Sequence, residues 1–198
     1  MFRSKLQKSV APILVFVSLL VIGSQSGSAS LITFTFSGNA SGTIGGSSFN
    51  NAAFEITILG DTNNVEGVPG FPNSIRILSD SASITIAGMT SSITPQLSVF
   101  SNNTGFAGLA LPPITDLILG PDSTQFSTWG MTTSIGPITS EASFESWNTV
   151  NIDTSSGQLI FAEGDVTTTF TAVVVPEPGS CMIICLGSLL VLRRRRSV

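Results

Sequence analysis

Apolar and polar residues alternate along most of the middle of the chain, and this pattern predicts β-strands. In residues 32–36, three apolar side chains (Ile32, Phe34 and Phe36) share one face and two threonines share the other. Successive residues of a strand point to opposite faces, and threonine opposite β-branched or aromatic residues is typical of half-buried strands. The same alternation recurs in residues 54–58, 74–77, 83–86, 97–99 and 166–171.

Clusters of glycine, asparagine, aspartate and serine separate the alternating segments and predict turns. They lie at residues 37–39, 44–47, 60–64, 101–105 and 153–157. The prolines in residues 111–113 and 120–122 indicate a longer surface loop in the middle of the chain. Roughly eight to eleven short strands without helical periodicity predict one all-β domain, an antiparallel β-sandwich of jelly-roll type.

The first 30 residues have the organisation of a secretory signal peptide. Arg3, Lys5 and Lys8 precede an apolar run over residues 10–22, and small residues follow at 27–30. This order of charged, apolar and small residues predicts export and cleavage near Ala29 or Ser30. An uncleaved N-terminal anchor is the alternative interpretation.

The last 23 residues predict a membrane-associated tail. Pro176 and Pro178 restrict the backbone around Glu177 to extended conformations, which leaves this motif accessible to a processing enzyme. Residues 179–192 would form a helix of about 21 Å, shorter than the ~30 Å hydrocarbon core of a bilayer. We therefore predict a short transmembrane sorting helix at 180–192, held by a cytoplasmic arginine cluster at Arg193, Arg194, Arg195 and Arg196.

This three-part tail resembles the PEP-CTERM sorting signal of Gram-negative bacteria that make exopolysaccharide. The resemblance rests on Pro176, Glu177 and Pro178, the apolar segment 180–192 and the four terminal arginines, about a tenth of the chain. It implies recognition and cleavage by an exosortase-type membrane enzyme, and release to the cell surface or extracellular matrix. An ordinary C-terminal membrane anchor is the alternative. Cys181 and Cys185 have no counterpart in the family pattern.

Between the two ends, residues 31–175 form a strongly acidic region. Arg76 is its one cation against eleven acidic residues, and 1 − 11 gives a net charge of −10. Without cations to neutralise phosphates, such a domain is not expected to bind nucleic acid or anionic lipid. The region holds no cysteine, so its stability must come from packing without a disulfide.

The residue types present exclude several catalytic chemistries. The chain has no histidine, and residues 31–175 lack lysine and cysteine as well, which excludes histidine-based triads, Schiff-base lysines and cysteine nucleophiles. Glu141 and Glu145 resemble a glycosidase pair, but we interpret them as solvated acids. Asn151, Asp153 and Ser155 have the spacing of a calcium loop, but a hairpin turn explains them better. We predict no enzyme activity, catalytic residue, cofactor or metal.

Two functions remain compatible with the sequence. The first is a structural protein of the cell surface or extracellular matrix. The second is a carbohydrate-binding module that contacts exopolysaccharide through exposed Trp129 and Trp147, with packing in the core as the alternative role of these rings. Phe49, Phe71 and Phe106 lie near glycine or proline and are further candidates for exposure.

Overall fold

A computed structural model describes residues 30–113, 115–162 and 164–175 of the 198-residue chain. This part of the chain is all-β and sandwich-like, as the alternating pattern predicts. The described residues contain no α-helix; three short 3₁₀ segments occur at Thr62–Asn64, Thr124–Thr128 and Ser146–Asn148. None of the helical segments described here is long and apolar enough to span a membrane. The predicted signal peptide (1–30, of which only Ser30 is described) and the predicted sorting tail (176–198) lie outside the described residues.

The described residues form thirteen strands, more than predicted. Two of them, β3 and β11, contain only three residues each and are too short to show an alternating pattern. The strands are β1 (Leu31–Ile44), β2 (Ser47–Asp61), β3 (Glu66–Val68), β4 (Phe71–Leu78), β5 (Ser81–Ile86), β6 (Met89–Ile93), β7 (Ser98–Asn102), β8 (Phe106–Leu111), β9 (Thr115–Asp122), β10 (Ile135–Phe144), β11 (Ile152–Thr154), β12 (Gly157–Phe161) and β13 (Gly164–Val175).

All strands belong to one antiparallel hydrogen-bonded array, in the order β12-β11-β6-β5-β2-β1-β13-β10-β9-β8-β7-β4-β3. One edge of β1 pairs first with β13, through residues 31–38, and then with β12, through residues 42–44. The pairing of β12 with β1 closes six of the strands into a ring, while the other seven extend away from it. Strand β4 of the other seven packs against β2 of the ring at Gly60, where an added Cβ would lie only 2.5 Å from Cγ2 of Ile77.

The turn that we predicted at residues 37–39 is wrong, because these residues lie within β1. Ser37, Gly38 and Asn39 all pair with β2, and the strand continues to Ile44. Gly38 serves close packing here, because a Cβ at this position would lie 2.6 Å from the carbonyl oxygen of Thr167. The sequence signal of a turn glycine and that of a glycine packed against a neighbouring strand are the same.

The predicted long loop between residues 111 and 122 is also wrong. Strands β8 and β9 form a hairpin: β8 ends at Leu111 and β9 begins at Thr115. Gly120 and Pro121 belong to β9. Three of the other predicted turns are confirmed at their centres: residues 45–46 join β1 to β2, residues 155–156 join β11 to β12, and residues 103–105 join β7 to β8. The turn predicted at 60–64 is confirmed only in part, because Gly60 and Asp61 belong to β2 and the 3₁₀ segment begins at Thr62.

The core is a continuous cluster of aliphatic and aromatic side chains. Phe34 and Phe36 of β1 are fully buried, as their alternation predicts, and both lie against Phe170 of β13. A second aromatic group surrounds Phe161, which stacks on Phe144 with ring centroids 4.7 Å apart. Burial of these rings supplies the main stabilisation in a domain that lacks a disulfide.

Candidate functional site

The surface has a small groove that combines aromatic, basic and acidic side chains. We name it the Phe71 groove; it has a volume of about 100 Å³ and is formed by the β3–β4 hairpin and strands β7, β8 and β9. Phe71 is 53% exposed at its margin, whereas Phe49 and Phe106, the other two candidates for exposure, are half-buried. Phe100 and Phe106 meet edge to face, with centroids 6.0 Å apart, and Arg76, Asn102 and Asp116 complete the polar part of the lining.

Arg76 is held in this groove by two fixed hydrogen bonds. Its Nε donates to Oε1 of Glu66 at 2.8 Å, and its Nη1 donates to the carbonyl oxygen of Pro113 at 2.9 Å. Glu66 and Arg76 are also direct partners in the ladder between β3 and β4. The guanidinium therefore fastens the hairpin to the β8–β9 turn, a structural role that leaves fewer of its donors for a ligand.

Asp116 is the carboxylate that lines the groove, and its pKa is raised. Burial raises the pKa of Asp116 above its ordinary value of 3.8, and the nearby negative charge of Glu145 raises it further. The two residues are brought together because the Glu145 backbone N–H donates to the carbonyl oxygen of Leu117 at 3.0 Å.

A second depression is larger, open and polar. It has a volume of about 800 Å³ and lies on the outer face around strands β1, β2 and β13. Glu55 and Asp165 supply carboxylates, and Asn39 and Asn51 supply amides. Among the described residues no group of three or more aspartate, glutamate, histidine or cysteine side chains is placed to hold a metal ion.

The two tryptophans are in the core, so the expectation that they contact sugar at the surface is wrong. Trp147 has no exposed surface and lies between Phe144 and Phe161, while Trp129 is 7% exposed and contacts Phe34, Phe126 and Phe170. Trp129 Nε1 donates to the carbonyl oxygen of Thr133 at 2.8 Å. Stacking on a sugar needs an exposed ring face, and neither residue has one.

The other candidate residues are not brought together into a reactive site. Glu141 is exposed on β10, whereas Glu145 follows the end of that strand and faces Asp116. Asp153 lies in β11, and Asn151 and Ser155 flank this short strand of the β11–β12 hairpin, as the hairpin interpretation predicts. The turn is fixed by Thr154, whose Oγ1 donates to the carbonyl oxygen of Gly157 at 2.6 Å and accepts from the Ser156 N–H at 3.2 Å.

The comparisons with protein-family models, curated proteins and solved structures give no match to this chain.

The sequence contains little that could have indicated the Phe71 groove. Phe71 and Phe106 stand out because glycine or proline lies nearby, but Asp116 lies near the start of β9, a segment without an alternating pattern. Burial is the larger cause of the raised pKa of Asp116, and the second cause is Glu145, which is 29 positions away in the chain and follows the end of β10. Only the folded arrangement brings these two carboxylates close to each other.

Proposed function

We propose that this chain is an exported structural protein of the cell surface or extracellular matrix, sorted by its Pro176-Glu177-Pro178 tail and processed by an exosortase-type enzyme. In this proposal the acidic β-domain is the delivered part. The segment 180–192 anchors the precursor transiently in the membrane, with Arg193–Arg196 on the cytoplasmic side. Catalysis, a cofactor and nucleic-acid binding have no part in the proposal.

The observation that carries this proposal is the pairing of Leu31 with Val175. These two residues are direct partners across the β1–β13 ladder. The described strands thus begin at Leu31, directly after the predicted signal peptide, and run to Val175, and these two residues lie side by side. Such an arrangement suits a domain delivered between two removable segments, because cleavage at either end would leave every strand intact.

The net charge supports the same proposal. A surface with a charge of −10 and a single cation, already bonded to Glu66, favours solubility and mutual repulsion outside the cell. For the strands themselves we propose a two-layered, jelly-roll-like arrangement, which the close approach of Gly60 to Ile77 supports. Contact of the delivered domain with exopolysaccharide would then use its outer polar surface rather than a tryptophan.

The test is mass spectrometry of the C-terminus in membrane and extracellular fractions of the native host. We expect the extracellular form to end close to residue 178, and Glu177→Ala to slow its formation. Glu141→Ala is the matched control, since it removes an exposed carboxylate from the folded domain and should be processed normally. Replacing Arg193–Arg196 by serine should weaken membrane retention, because each charge resists crossing by a few kcal/mol. A chain that ends at Val198 in every fraction contradicts the proposal.

A further inference from the structure

The outer face of strands β13, β1 and β2 changes from polar to apolar at one end. Directly opposite residues in a ladder share a face, so these strands can be compared row by row. The rows further from this end are polar: Thr169, Ser37 and Glu55 form one row, and Thr171, Thr35 and Thr57 form the next. The last two rows are Val173, Thr33 and Leu59, followed by Val175, Leu31 and Asp61.

Four aliphatic residues therefore lie around Thr33 at this end of the face, and we name them the exit patch: Leu31, Leu59, Val173 and Val175. Val173 is 50% exposed, Val175 39% and Leu31 38%, and Leu59 is half-buried beside them. Only two other large apolar side chains are comparably exposed among the described residues, and they lie on other strands, Phe71 on β4 and Met89 on β6. The exposed aliphatic surface is thus concentrated at this end.

The exit patch lies where the chain leaves the fold toward the predicted membrane segment. Val175 is the last residue of β13, and the apolar segment begins at Ser180. Even a fully extended chain covers at most about 17 Å between these two residues. Ser30 is at the same end, because its carbonyl oxygen accepts from the Thr62 N–H at 3.0 Å.

We infer that the exit patch rests on the apolar–polar boundary of the membrane while the tail is inserted. The inference rests on the proposed function, since it needs the segment 180–192 to be in the bilayer. The contact is apolar in origin, because a domain with a charge of −10 is not attracted to anionic headgroups. Four aliphatic side chains bury too little area to bind lipid alone, but a short tether gives them a high effective concentration at the surface.

This contact has a consequence for processing. With the patch on the membrane, Pro176 and the two residues after it are held at the membrane surface, within reach of a membrane-embedded enzyme. The threonine rows above the patch remain in water. The end of the domain that carries the exit patch therefore faces the membrane, and the cleavage motif follows directly after β13.

The test uses residues 31–198, the chain after removal of the predicted signal peptide, with Cys181→Ala and Cys185→Ala, reconstituted in phosphatidylcholine vesicles. One sample carries Val173→Cys with an environment-sensitive nitrobenzoxadiazole label. The matched control carries Thr167→Cys, on the same face of the same strand but about 20 Å further from the patch end. We expect the label at 173 to shift to the blue and to lose emission when the lipids carry a nitroxide near the glycerol backbone, and the label at 167 to do neither.

The other outcomes distinguish failure of the patch contact from failure of membrane insertion. If the chain sediments with the vesicles but both labels stay unquenched, the patch inference is wrong and the membrane anchor stands. If the chain does not sediment with vesicles, insertion of the tail fails, and the inference fails with it. A blue-shifted label that lipid nitroxides do not quench would mean that protein covers the patch, either the apolar tail or a second copy. Leu31→Thr with Val175→Thr should restore emission at 173 without loss of sedimentation; unchanged quenching would overturn the inference.

Discussion

Arg76 Nε donates to Glu66 Oε1 at 2.8 Å, and this bond joins the two strands of the β3–β4 hairpin at directly opposite positions. The two partners differ in environment, because the Arg76 side chain is 11% exposed and the Glu66 side chain is 49% exposed. β3 is the terminal strand of the array, and its single ladder is to β4. The bond therefore contributes to the stability of an edge that has little other support.

The first prediction concerns the unequal importance of these two residues. Arg76→Met should lower the free energy of unfolding by about 1–2 kcal/mol, because the Pro113 carbonyl also loses its donor. Glu66→Gln should cost at most about 1 kcal/mol, since a half-exposed carboxylate is well hydrated without the pair. Urea unfolding of the two variants measures the difference. Equal losses would show that the bond to Pro113 contributes nothing.

The second prediction concerns pH. The pKa of Asp116 is raised in the folded protein, first by burial and then by Glu145, so the folded state holds a proton that the unfolded state has lost. The contribution of Asp116 to stability should therefore fall as the pH rises from about 3.8 through its raised pKa. Asp116→Asn should make the protein more stable than the native chain at pH 7, with a difference that disappears below pH ~3.8.

Glu145→Gln provides the control for this pH effect. It removes the smaller of the two causes, so it should bring the pKa of Asp116 only partly back toward its ordinary value. Thermal unfolding across the pH range measures all three proteins. A stability difference between Asp116→Asn and the native chain that does not change with pH would contradict the assignment.

The third prediction compares two neighbouring glycines in the β1–β2 turn. Both have a positive φ, +57° at Gly45 and +83° at Gly46, but a Cβ at Gly45 would collide with the Ser156 carbonyl, whereas a Cβ at Gly46 would meet nothing within 4 Å. Gly46→Ala should therefore cost only the conformational strain of about 1–2 kcal/mol. Gly45→Ala adds overpacking against the β11–β12 turn and should cost about 2–5 kcal/mol. Denaturant unfolding measures both costs. Equal losses of unfolding free energy for the two variants would show that the β1–β2 turn can move away from the β11–β12 turn without cost.

The fourth prediction concerns the tryptophans. Because Trp129 and Trp147 are both in the core, their emission should be blue-shifted, weakly quenched by acrylamide and unchanged when exopolysaccharide is added. Trp147→Ala should lower the free energy of unfolding by about 3–5 kcal/mol through the cavity it leaves. Fluorescence titration and urea unfolding test the two statements. A glycan-dependent change in emission would require a ring at the surface and would contradict the burial.

The sequence by itself determined the local features of this protein. Alternation in residues 32–36 correctly identified which side chains of β1 point into the core, because the period of a strand is set by its backbone geometry. The turn glycines Gly45, Gly46 and Gly157 were equally informative, since each has a positive φ, which few residue types other than glycine adopt. The predicted export and sorting signals are of the same local kind, and they remain predictions.

Only the tertiary structure decided which surfaces are covered. Periodicity shows that a strand has two faces, but the neighbours that cover a face come from distant segments. Trp147 is covered by Phe144 and Phe161, and the backbone of Thr167 packs against Gly38. The pKa of Asp116 is raised by burial and then by Glu145. The exit patch has the same origin, because Leu31, Leu59 and Val173 become one surface only through the register of three strands.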